Sequence, residues 1–107
     1  MSRKENLIFR RIKRVANRVL PAGGVMYLYG SRARGDADVE SDWDILIILN
    51  KDRIEKSDYD ELSFPLTELG WELNQSIIPV IYTMEQWESE NSLFFRKNVE
   101  QDALKIA

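Results

Sequence analysis

Between Gly30 and Asp44 the chain reads GSRARGDADVESDWD, and the residue types in that stretch can do phosphoryl chemistry. Gly30-Ser31 opens a turn that carries Arg32 and Arg34, and two carboxylates follow at Asp42 and Asp44, at the mouth of the apolar run Ile45 to Leu49. Glycine lets the backbone approach a ligand closely and take positive φ. Backbone N–H groups of such a turn present donors to an anion, and the Ser31 hydroxyl adds another. Arg32 or Arg34 can complement phosphate charge with bidentate geometry. Side chains two apart on a strand share a face, so Asp42 and Asp44 can reach one ionic site while Trp43 points the other way. Magnesium takes oxygen ligands and recruits substrate phosphates. This set of groups therefore suits a nucleoside triphosphate held with one or two Mg2+. A two-metal arrangement would activate an attacking hydroxyl and neutralise a pyrophosphate leaving group.

Composition narrows the alternatives. The chain has 107 residues, 44% hydrophobic, which is enough for one modest core and a single domain spanning 1–107. It has no cysteine and no histidine, so thiolate catalysis, Ser-His-Asp triads and metal sites built on sulfur or imidazole are excluded. Phosphoryl transfer needs little covalent chemistry from the protein, so these absences do not weigh against it. No apolar run approaches the roughly 20 residues that span a bilayer, and the basic N-terminus lacks a signal-peptide core, so a cytoplasmic location is expected. Residues 1–34 carry a formal charge of +8 and residues 35–107 a charge of −11. That split can draw anions toward one face, although over the first 20 residues it also reads simply as a solvated basic side of a helix.

The site needs strands and helices to hold it, and the pattern supplies them. Ser2 with Glu5 forms a capping-box signature, followed by Ile8, Ile12, Val15 and Val19 at helical spacing and a stop at Pro21 to Gly24. Val25 to Tyr29 predicts a strand ending at Gly30, and the continuously apolar Ile45 to Leu49 predicts a central one. Asn50 to Ser57 reads as a loop, and Asp58 to Asn74 as a helix that Pro65 kinks or restarts. Ile77 to Tyr82 predicts a third strand, with Pro79 favouring an edge or a bulge. Thr83 with Gln86 can cap a short helix, and Leu93 to Ile106 reads as a last helical segment held by Phe94, Val99 and Leu104. The expected class is α/β (α+β), a small mixed β-sheet of three to four strands flanked by helices. Tyr27, Tyr29, Trp71 and Trp87 read as core or rim aromatics, and Asp36, Asp38 and Glu40 as a solvated loop.

Gly30-Ser31, then Ala33-Arg34-Gly35, then Ser41-Asp42-x-Asp44 resembles the GSxARG...SDxD signature of minimal nucleotidyltransferases of the DNA polymerase β superfamily. The resemblance covers nearly the whole chain and implies a nucleotidyltransferase fold, with Gly30 and Ser31 on phosphates and Asp42 and Asp44 on magnesium. It also implies AMP transfer from ATP as the expected activity. The implied partner is a helical HEPN-type protein, with this chain as the antitoxin of a toxin–antitoxin pair. Active members carry a third carboxylate on the following strand, whereas Ser76 to Tyr82 has no acidic residue here. Glu72 and Glu85 flank that strand, and Glu72 reaches the site if the end of its helix folds over it.

Two functions compete. One is a Mg-dependent nucleotidyltransferase acting on a hydroxyl of a partner protein. The other is a catalytically weak nucleotide-binding module that neutralises its partner by complex formation. Nucleotidylation of small molecules is less compatible with so short a chain, and nucleic-acid binding by the basic helix is opposed by the acidic remainder.

Overall fold

The computed structural model describes residues 1–107. Helix α1 (Arg3–Val19) starts where the sequence places it: the Ser2 hydroxyl accepts from the Glu5 N–H at 3.1 Å, and the Ser2 N–H donates to the Glu5 carboxylate at 3.0 Å. Its buried stripe is Ile8, Ile12, Val15 and Ala16. Strand β1 (Val25–Tyr29) is followed by a single helical turn, α2 (Ser31–Arg34), and then by strand β2 (Trp43–Leu49). A short helix α3 (Lys56–Asp58), a π-helical turn (Tyr59–Ser63) and helix α4 (Phe64–Leu73) cross over to strand β3 (Ile77–Thr83). Pro65 stands in the first turn of α4, directly after the π-helical turn in which the Phe64 N–H reaches back to the Tyr59 carbonyl, so the second part of the helix begins at the proline. Helices α5 (Met84–Glu88) and α6 (Leu93–Asp102) and a two-residue strand β4 (Leu104–Lys105) complete the chain.

The four strands run in the order β3-β2-β1-β4. Strand β2 pairs parallel with β3 and antiparallel with β1, while β4 adds to the free side of β1. The sheet is therefore mixed, β2 is central, and Pro79 lies on an edge strand where its missing donor is tolerated. Parity along β2 divides the molecule. Trp43, Ile45, Ile47 and Leu49 face α1 and α4 in the larger core, together with Met26, Leu28 and Ile77. Leu46 and Ile48 face Trp87 and Val99, under α5 and α6. Register puts Asp44 on this second face, level with Tyr29 on β1 and Ile78 on β3. No helix is long and apolar enough to cross a membrane.

The C-terminal segment differs from the sequence expectation. The helix ends at Asp102, Leu104–Lys105 pairs with Tyr27 and Leu28, and Ile106 is buried in the larger core. Phe94 is 88% exposed and holds nothing; its neighbour Phe95 packs inward against Tyr29 and Tyr82. Leu104 is likewise exposed. Free N–H and C=O groups along the edge of β1 favour a strand there over one more helical turn. Two further backbone bonds, from the Ile106 N–H to the Met26 carbonyl and from the Met26 N–H to the Ala107 carbonyl, continue that edge.

Truncating Ile47 to alanine removes a fully buried side chain from the central strand and is expected to cost about 2–5 kcal/mol. Truncating Phe94 should change stability by no more than about 0.5 kcal/mol. Urea unfolding of both variants checks the contrast, and equal losses would contradict the placement of α6.

Candidate active site

Gly30 ends β1 with φ 78° and ψ −159°, a backbone region open to glycine alone. The chain then turns directly into α2, where the Ala33 and Arg34 N–H groups donate to the Gly30 carbonyl at 3.1 and 3.0 Å. The Ser31 and Arg32 amides precede these bonded positions, so like any first-turn N–H groups they have no intrahelical acceptor. Gly35, at φ 87°, lets the chain leave the turn. A Cβ built on Gly30 would lie 2.5 Å from the Asp44 Oδ2 atom. The absence of a side chain at Gly30 is therefore what allows the turn and the Asp44 carboxylate to share this space.

The two arginines of the turn have different surroundings. Arg32 is buried: its Nη1 donates to Glu5 at 3.1 Å, its Nε and Nη2 donate to the Ser41 carbonyl at 3.3 and 2.9 Å, and its guanidinium lies 4.9 Å from the centre of the Trp43 ring. The structure thus commits this side chain inward, linking the start of α1 to the residue before Asp42. Arg34 is exposed, donating through Nε to Asp36 at 3.2 Å and through Nη1 to Asp102 at 3.3 Å, and both carboxylates hold its pKa up. Sequence spacing does not distinguish the two roles. The signal for Arg32 is its pairing with a tryptophan and a first-turn glutamate, which only the fold brings together.

Asp42 is exposed just ahead of β2 and Asp44 is half-buried within it, near enough for the charge of Asp42 to act on Asp44. Burial pushes the Asp44 carboxyl above its usual range, the neighbouring charge of Asp42 adds to this, and Arg34 opposes it. Beside it the Tyr29 phenol is pushed up to about 12, by burial first and then by the negative charge of Asp44 and by Tyr82. A paired carboxylate in this position gains from a cation, so the donor set fits a magnesium ion carried in with a phosphate ligand. No third acidic side chain joins Asp42 and Asp44 in a cluster able to hold a metal ion. Glu72 is not brought to them: it lies on α4, on the other side of the sheet from Asp44, and bonds Arg11 at 3.0 Å. The β3 residue level with Asp44 is Ile78, which is 42% exposed.

The site thus combines a sheet with helices on both faces, a Gly-Ser turn and an i, i+2 aspartate pair. The sequence pattern of the nucleotidyltransferase domain family matches residues 9–105, and the chain belongs to that family. Among solved structures it is similar to a toxin–antitoxin complex with AMP-PNP, at 17% identity and a TM-score of 0.64, covering 92% of this chain and 72% of that one. It is also similar to a MntA–HpeT toxin–antitoxin mutant carrying two Asp-to-Glu changes two positions apart, at 17% identity and a TM-score of 0.63, covering 92% and 72%. A third similar structure is the complex of a tri-AMPylated Shewanella oneidensis HEPN toxin with its MNT antitoxin, at 17% identity and a TM-score of 0.60, covering 96% and 71%. At this identity the likeness is one of fold. No curated protein matches the chain.

Gly30→Ala should cost about 1–3 kcal/mol, because it imposes a strained backbone conformation, and should also displace the Asp44 carboxylate. Denaturation midpoints check the first effect and nucleotide affinity the second. Glu5→Gln keeps the capping box but removes the charge facing buried Arg32, and should cost about 1–3 kcal/mol at neutral pH. The Glu5 carboxyl is held below its usual value by the Ser2 N–H, against some burial, with Arg32 adding to the effect. The native state therefore binds fewer protons than the unfolded state, so this stabilisation is full above the unfolded value of 4.5 and is lost as pH falls through the lower native value. Unfolding curves of both proteins should converge in acid. A gap that persists at low pH would contradict this role for Glu5.

Proposed function

We propose that this chain is a magnesium-dependent nucleotidyltransferase that moves AMP from ATP onto a hydroxyl of a partner protein, as the antitoxin of a HEPN-type toxin–antitoxin pair. The observation that carries the reading is the approach of the Gly30 turn to Asp44, which puts the turn's N–H donors and a carboxylate side by side. In the proposed reaction the acceptor oxygen forms a bond to the α-phosphorus of ATP, the bond to pyrophosphate breaks, pyrophosphate leaves and the acceptor proton passes to solvent water. Gly30 and Ser31 hold phosphate oxygens through backbone and hydroxyl donors, and Arg34 lends its remaining N–H groups. Asp42 and Asp44 would hold magnesium. When bound, the ion supplies neutralisation of phosphate charge and a fixed orientation of the phosphates. Arg32 acts indirectly by fixing the segment that carries both aspartates.

The similar complexes support the partner in this reading: one holds AMP-PNP, and another joins an AMPylated HEPN toxin to an MNT antitoxin. ATP is the proposed nucleotide and the cytoplasm the proposed compartment.

The experiment is transfer of label from [α-32P]ATP, with magnesium, to a HEPN-type protein offered as acceptor. Asp42→Asn and Asp44→Asn should each reduce transfer at least about 100-fold, equivalent to roughly 3 kcal/mol in the barrier. Transfer that is unchanged in both variants would overturn the proposal.

A second reading, neutralisation by binding alone, is favoured by one observation: the β3 position level with Asp44 is occupied by Ile78 rather than a carboxylate. Under that reading the Asp42→Asn/Asp44→Asn protein still protects against the partner. Ile78→Asp separates the two readings further, because a third carboxylate there should raise transfer in an enzyme and leave protection unchanged in a pure binder.

A further inference from the structure

The exposed side of α1 carries charges that the fold itself does not use. Arg11 is held by Glu72 at 3.0 Å, but Arg3, Lys4, Arg10, Lys13, Arg14 and Arg18 form no ion pair. At about 100° per residue, all of the helix's cations except Lys13 project within an arc of about 120°. Like charges recur at i, i+4 in Arg10–Arg14 and Arg14–Arg18, and at i, i+3 in Arg11–Arg14. Such pairs destabilise an isolated helix. A local cost without any partner inside the fold marks a surface kept for something outside it.

That flank is not purely polar. Leu7, 55% exposed, lies at the centre of the cationic arc. With Ile8 and Leu73 it floors a furrow of about 410 Å3 rimmed by Arg10, Arg11 and Arg14. A second depression of about 350 Å3 shares Arg11 and Arg14, but α4 lines it with Glu68 and Glu72, so the basic rim belongs to the first furrow alone. An apolar floor inside a basic rim offers little to a phosphate backbone, which would use the rim and leave Leu7 in water. It matches an amphipathic helix whose apolar residues are flanked by Asp and Glu.

We propose that the furrow between α1 and α4 is a docking surface for an acidic amphipathic helix of another protein. The occupant sets apolar side chains on Leu7, Ile8 and Leu73, and its carboxylates meet Lys4, Arg10 and Arg14. This surface lies on the opposite side of the sheet from Asp44, so docking there does not depend on nucleotidyl transfer.

The test uses the full chain and a fluorescein-labelled peptide about 14 residues long, long enough for a marginal helix. Leucines stand at i, i+3, i+4 and i+7 with glutamates beside them. A scrambled peptide of the same composition and a single-stranded RNA serve as competing probes. Anisotropy should show the periodic peptide binding, with affinity falling at least about tenfold for the scrambled peptide, for Leu7→Ser and for Arg10→Glu/Arg14→Glu. The charge-matched control Lys56→Glu/Lys97→Glu should leave the affinity unchanged. ATP affinity should also be the same in wild type and Arg10→Glu/Arg14→Glu, which separates failure here from failure of the transfer reading. The doubly reversed protein should melt no lower than wild type, since the 10/14 pair stays like-charged while the repulsions of position 14 with Arg11 and Arg18 become attractions. Equal binding of the scrambled peptide, tighter RNA binding that ignores Leu7→Ser, or no binding of the periodic peptide each overturns the proposal.

Discussion

A buried guanidinium has to be paired, and the arrangement around Arg32 governs the rest of the site. Leaving such a charge without acceptors in the interior costs several kcal/mol, so Glu5, the Ser41 carbonyl and the Trp43 ring are drawn to it. Those three partners come from the first turn of α1, the end of the loop and the start of β2. The residues on either side of Trp43 are Asp42 and Asp44, so fixing Ser41 and Trp43 fixes the backbone from which both carboxylates project. Arg32 is thus committed to geometry, while the exposed Arg34 is paired with Asp36 and Asp102.

The sheet supplies the second constraint. Because β2 is central and its parity is strict, the face that packs on α1 and α4 receives Trp43, Ile45 and Ile47, and the opposite face receives Asp44, Leu46 and Ile48. A shift of one residue would bury Asp44 in the larger core and expose Trp43. The parallel partner β3 brings Ile78 level with Asp44, while β1 brings Tyr29 beside it and Gly30 just past it. Half-burial on that face raises the Asp44 carboxyl and, with the charge of Asp44, the Tyr29 phenol. The cost of an unneutralised carboxylate pair there is what a divalent cation would relieve.

Local signals in the sequence reported local features. The Ser2–Glu5 cap, the break at Pro21, the buried run after Asp44 and the Thr83–Gln86 cap depend on neighbours within four residues, and each is found in the structure. Features that rest on distant partners were not legible. Nothing near Arg32 in the chain announces Glu5, 27 residues away, and nothing near Leu104 announces the free edge of β1. Glu72 lies just before β3 in sequence, yet the helix that carries it packs on α1, so its carboxylate meets Arg11 instead of Asp42. Phe94 and Phe95 are equivalent as adjacent apolar letters, and only the orientation of α6 against Tyr29 and Tyr82 separates them.

One titration bears most directly on the claim that the Gly30 turn and the aspartate pair form a single nucleotide–magnesium site. ATP binding to the wild-type chain and to Asp44→Asn, measured by calorimetry with magnesium and with EDTA, reports phosphate and cation recognition without needing a partner or turnover. The account predicts that magnesium tightens ATP binding in wild type and that this gain disappears in Asp44→Asn. Equal ATP affinity in all four measurements would contradict it.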